Sequence, residues 1–170
     1  MQDMDQKISQ EMMTFIQTHP SCYHVAAGLA QMLEESGFQR LYENERWELK
    51  AGRDYYVIRN GSSLIGFRIP EGTAGNFQIV ASHSDSPGFK IKENPEIKVA
   101  GHYIELNAEK YGGMLCAPWF DRPLSIAGRV MVRTDQGIET RMIHFDRDLV
   151  MIPNLAIHMD RSLNDGYTYN

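Results

Sequence analysis

The sequence predicts an α/β fold that gives way to β structure alone, in two modules meeting at about residue 90. Three observations carry that reading. Early in the chain, apolar side chains recur at helical spacing. Between Tyr55 and Ser82 a hairpin signal is followed by a short apolar run. Beyond Gly88 the pattern is alternation, with no helical stretch of good length.

Each element follows from its residues. In Gln6–Thr18, the residues Ile8, Met12, Phe15 and Ile16 fall on one face of an amphipathic helix. His19-Pro20 ends it, because a residue before proline avoids the helical region. Ser21 is a natural cap for a second helix, whose apolar face is Val25, Ala26, Leu29, Ala30 and Leu33. Gly37 stands where that helix should stop. These apolar positions read as core. Tyr55–Arg59 and Ser63–Ile69 are β-rich and flank Asn60-Gly61, the pair that tight hairpin turns favour. A loop over Pro70–Asn76 leads into Phe77–Ser82, read as a buried strand of the α/β layer. After Gly88, alternation recurs in Phe89–Lys92, Glu96–Val99 and His102–Leu106. Leu124–Val132 is an apolar run, and Ile138–Phe145 alternates in part. Residues 1–90 are therefore expected to form the α/β module and residues 91–170 a mostly antiparallel β module.

Composition narrows the classes of function. A chain of 170 residues makes one ordinary domain, or one and a fraction. A formal net charge of −5 argues against a general nucleic-acid binder, which would present a basic face. The polar, acidic start Met1–Gln6 lacks the basic and apolar regions of a signal peptide, and no apolar run approaches a membrane span. Cys22 and Cys116 are far apart and lack metal spacing. They read as buried thiols of a reducing compartment, hence a cytoplasmic protein.

The chemistry concentrates in Ile79–Gly88. An apolar run passes into Ser82-His83-Ser84-Asp85-Ser86 and is closed by Pro87-Gly88, so His83 and Asp85 are expected where a strand meets a loop. In open α/β sheets that edge is where ligands bind. Neutral imidazole is the commonest zinc ligand, and it usually needs a carboxylate or carbonyl to fix its tautomer. Spacing alone leaves a second reading open, a loop histidine beside an unrelated acid. Elsewhere, His24 stands at a helix start, and Tyr111-Gly112-Gly113 is a loop of close backbone approach or a simple turn. Trp119-Phe120-Asp121-Arg122-Pro123 sets a loop ion pair beside two aromatics, and His158 lies in an apolar segment. His19, His102 and His144 form no constellation. The chain has no glycine-rich phosphate loop, nucleophile elbow or Cys-His nucleophile arrangement.

Taken together, these stretches resemble the aspartyl aminopeptidases, a family of zinc metallopeptidases. Pro20-Ser21-Cys22-Tyr23-His24 resembles the family's early Ser-Pro-x-His-type segment. Ala81-Ser82-His83-Ser84-Asp85-Ser86-Pro87 resembles its Ala-His-Thr-Asp-Ser-Pro segment, with Ser84 in place of the threonine. Tyr111-Gly112-Gly113, the stretch from Trp119 to Val130, and the stretch from Ile152 to His158 match three further segments in the same order.

The resemblance implies an α/β zinc-peptidase catalytic domain, of which residues 1–90 are the N-terminal part. Residues 91–170 would belong to an inserted β-rich domain that builds the dimer and walls the pocket. It implies that His83 is a metal ligand and that Asp85 is the catalytic-site acid supporting the metal-bound histidine. His158 would bind substrate from the neighbouring subunit. It implies two zinc ions, a peptide substrate with N-terminal aspartate or glutamate, and a homo-oligomer. The family's other metal ligands and its general-base glutamate come from a C-terminal segment with no counterpart here. The chain is thus expected to be an N-terminal portion, inactive alone. Two alternatives stay open: a related di-zinc aminopeptidase of different specificity, and a non-catalytic dimerisation module.

Overall fold

A computed structural model describes residues 2–72 and 75–166. Thr73 and Ala74, within the expected loop, lie outside the described residues, as do residues 167–170. The chain divides into two units. One comprises Met1–Asp85 with Ala127–His144, the other Ser86–Ile126 with Phe145–Asn170. Residues 127–144 therefore group with the first unit, where a single cut at about residue 90 would place them in the second.

In the first unit, helix α1 spans Gln2–Thr18 and helix α2 spans Cys22–Glu35. Ser21 caps α2, its hydroxyl accepting from the His24 amide. The far end closes in a Schellman arrangement. The Gly37 amide donates to the Glu34 carbonyl and the Phe38 amide to the Leu33 carbonyl, both at 2.9 Å, with Gly37 at φ +89°. Strands β1 (Gln39–Leu41), β2 (Asp54–Arg59) and β3 (Ser63–Arg68) form a sheet in that order. β1 runs parallel to β2, and β3 antiparallel to it. β1 was not evident in the sequence, because three residues are too few to show a period. The expected hairpin is present, with Asn60 at φ +52° and Gly61 at φ +70°, the left-handed pair such a turn demands.

The core lies where α2 meets this sheet. Ala26 and Ala30 are buried with Tyr55, Tyr56 and Val57. Tyr56 sends its hydroxyl to Glu34 of α2, while Tyr55 on the opposite face accepts from the Lys50 amide at 2.9 Å. Successive strand residues point to opposite faces, so the two tyrosines anchor both sides of β2. Burial first, then the Glu34 carboxylate, pushes the Tyr56 phenol up to about 12.

Two expectations fail here. Phe77–Ser82 is not a buried strand: it pairs with no strand among the described residues, and Phe77 and Val80 are 93% and 92% exposed. A central strand is buried by neighbours on both edges and a layer above. The described sheet, ordered β1-β2-β3, supplies none of these for this segment. The apolar face of α1 is also exposed at Ile8, Met12 and Ile16, although Phe15 is half-buried and stacks on His19 at 4.1 Å.

Strands β6 (Ala127–Thr134) and β7 (Gly137–His144) pair antiparallel within the same unit. In the second unit, β4 (Gly88–Val99) pairs with β5 (Tyr103–Tyr111), also antiparallel. The register shifts between Ile91 and Glu96, so the two alternating runs of the sequence become one interrupted strand. Pro95 lies in that interruption, where its missing amide costs no ladder bond. Gly88 opens β4 rather than closing a strand. Gly112, at φ +78°, lies against Pro87, which makes the close backbone approach specific.

Candidate metal centre

His83 and Asp85 are brought together. The His83 Nδ1 lies 2.9 Å from Asp85 Oδ1, a distance at which a neutral imidazole donates from Nδ1 to the carboxylate. In the neutral ring, that bond would leave Nε2 as the lone-pair nitrogen. The His83 side chain is 91% exposed and the Asp85 side chain 35%. The local cause is the polar loop itself: the chain bends at Ser84, and the residues on either side of that bend meet directly.

The loop is seated on the body of its unit. The Ser84 hydroxyl donates to the Ser62 carbonyl at 2.8 Å, just past the β2–β3 turn. Two residues away, the Asn60 carbonyl accepts from Arg129 Nη1, also at 2.8 Å. The Arg129 guanidinium lies 4.2 Å from the centre of the Tyr23 ring. Sequence reasoning missed Ser84 and Arg129 as contributors. Their contacts span 22 and 69 positions and leave no local pattern.

One imidazole with a carboxylate on its other nitrogen fits the donor chemistry of a zinc ligand. It does not fit a complete site, because catalytic zinc takes three protein ligands. Among the described residues, no group of three or more His, Cys, Asp or Glu side chains could hold a metal ion.

The other singled-out residues make contacts within their own units. His24 is half-buried. Its Nδ1 is 2.7 Å from the Ser21 hydroxyl and its ring meets His144 edge-on at 5.9 Å. Burial first, then the charges of His144 and His19, holds its imidazole below the usual histidine range. His144, given no role from sequence, thus has a contact that the sequence did not suggest. In the second unit, Asp121 forms no ion pair with Arg122. It accepts instead from the Asn154 amide at 2.9 Å, and its own amide donates to the Ile152 carbonyl at 3.0 Å. Trp119 stands edge-on to Phe89 at 5.6 Å. His158 is exposed in a turn beyond Asn154. Cys116 is buried as expected, whereas Cys22 is half-buried. No described helix is long and apolar enough to cross a membrane.

Comparison with known proteins adds a family. Residues 15–170 match the family described as aminopeptidase I zinc metalloprotease (M18). The chain is 43% identical over 169 residues to a probable M18 family aminopeptidase 2 of Pseudomonas paraeruginosa, covering 98% of this chain and 39% of that protein. A counterpart of the same description in Clostridium acetobutylicum is 42% identical over 168 residues, covering 96% of this chain and 39% of that one. An M18 aminopeptidase structure from Thermotoga maritima superposes with TM-score 0.79 at 25% identity, covering 95% of this chain and 35% of that one. The mApe1 dodecamer of Saccharomyces cerevisiae superposes with TM-score 0.77 at 29% identity, covering 89% and 36%. The chain thus spans 39% of the length of the curated relatives it matches.

Proposed function

The chain belongs to the aminopeptidase I zinc metalloprotease (M18) family, and from that premise we propose that the whole protein is a cytoplasmic, zinc-dependent aminopeptidase removing N-terminal aspartate or glutamate from peptides. This chain supplies part of that machinery. His83 is one metal ligand through Nε2. Asp85 is the catalytic-site acid that holds His83 in the Nδ1–H tautomer and raises the basicity of the coordinating nitrogen. His158 reaches substrate in a neighbouring subunit of a homo-oligomer. The β-rich stretch after about residue 90 includes the family's inserted domain, which supports that assembly. Zinc ions at the full site, two per active centre, supply Lewis acidity and a water of lowered pKa.

The observation that carries this reading is the 2.9 Å His83–Asp85 bond with its exposed second nitrogen. The described residues offer no group of three ligands, so the 170-residue chain alone should not turn over substrate. The same observation favours the second reading, a non-catalytic dimerisation module.

An activity assay separates the two. The chain is tested with excess zinc against N-terminal aspartyl, glutamyl and leucyl peptides, both by itself and in place of the matching segment of the Pseudomonas relative. The proposal expects no turnover by the chain alone. It expects cleavage of the acidic peptides by the hybrid, lost in His83→Ala. A folded, zinc-loaded hybrid that cleaves no peptide favours the module, and equal cleavage of the leucyl peptide refutes the acidic specificity.

A further inference from the structure

We infer that Ser84 is a positioning residue for the candidate metal ligand, seating the His83–Asp85 loop on the β2–β3 turn. The inference rests on the reading of His83 as a ligand. The loop has little regular structure to hold it, since residues 75–83 form no strand and Phe77 and Val80 are almost wholly exposed. A ligand on such a segment loses affinity to conformational averaging unless something fixes the backbone beside it. Ser84 stands between the two residues of the pair, and its half-buried hydroxyl donates to the Ser62 carbonyl at 2.8 Å. The chain bends at Ser84, so the bond from its hydroxyl to Ser62 fixes the backbone from which both His83 and Asp85 project.

The acceptor is itself rigid. The Ser62 amide donates to the Arg59 carbonyl at 3.2 Å, closing the turn, and Asn60 and Gly61 are both held at positive φ. Arg129 of β6 grips the same turn through the Asn60 carbonyl and lies over the Tyr23 ring of α2. The loop is thus tied to a point where the sheet, α2 and the β6–β7 hairpin already meet. Residues supporting a ligand from outside its first coordination shell commonly alter metal affinity about 10–100-fold.

The test is nitrogen-15 NMR of the imidazole of His83 in the 170-residue chain, with zinc alone as titrant, in the wild type, Ser84→Ala and Ser84→Thr. In the wild type the Nδ1–H tautomer should dominate, and the amides of residues 83–85 should show order parameters near about 0.85. Ser84→Ala should shift the ring toward the Nε2–H tautomer and weaken zinc binding at His83 about tenfold. Ser84→Thr, which keeps the hydroxyl, should retain both. An unchanged tautomer and unchanged zinc affinity in a folded Ser84→Ala chain would overturn the inference. So would order parameters below about 0.6 in the wild type, a result that needs no variant to fold. Zinc that leaves the His83 ring unshifted while the tautomer still depends on Ser84 refutes the ligand reading and leaves the positioning role standing.

Discussion

His24 illustrates how one side chain can set the response of a whole unit to acid. It sits at the start of α2, its Nδ1 on the Ser21 hydroxyl and its ring against His144. Burial, His144 and His19 all hold its pKa below the ordinary 6.5. The folded ring therefore takes up its proton at lower pH than the unfolded one. As pH falls through about 6.5 the unfolded chain binds the proton first, so stability declines; the decline levels off below the folded pKa. Urea midpoints measured from pH 8 to pH 5 should fall for the wild type and fall less steeply for His24→Gln. Identical slopes would show that the group is not differentially protonated.

At the scale of elements, what was legible in the sequence was whatever depends on neighbouring residues. The Ser21 cap, the Gly37 stop and the Asn60-Gly61 turn are local, and all three form as read. The β alternation after Gly88 is equally local, and it correctly gave antiparallel pairs. What failed depended on distant partners. Phe77–Ser82 has the composition of a buried strand, but composition cannot supply the strands that would bury it. The joint between α1 and α2 was invisible for a related reason. His19 forms no constellation in the sequence, yet its ring fills the space left by Gly28, standing where a Cβ would project. Its Nδ1 is 2.8 Å from the Phe15 carbonyl, which fixes the ring in place. Gly28→Ala should therefore destabilise the unit by about 1–3 kcal/mol, the range for overpacking a filled site. Adding His19→Ala should recover most of that loss in urea unfolding. A Gly28→Ala chain as stable as the wild type would mean that His19 moves aside at no cost.

At the scale of the molecule, the candidate site was half legible. The His83–Asp85 pair could be read because its two members lie two residues apart and bond directly. Its support could not, because Ser62, Asn60 and Arg129 reach it only through the fold. The same limit applies to the metal. One imidazole and one carboxylate are present, and no described cluster completes a coordination sphere. The chain matches the M18 family and spans 39% of the length of the relatives it matches. Metal content is therefore the most direct test of His83 as a ligand. The hybrid carrying this chain in place of the matching segment of the Pseudomonas relative should lose about one zinc per subunit on purification of His83→Ala, with its fold intact, because the ion loses one of its protein ligands. An undiminished zinc count in that variant would contradict the account.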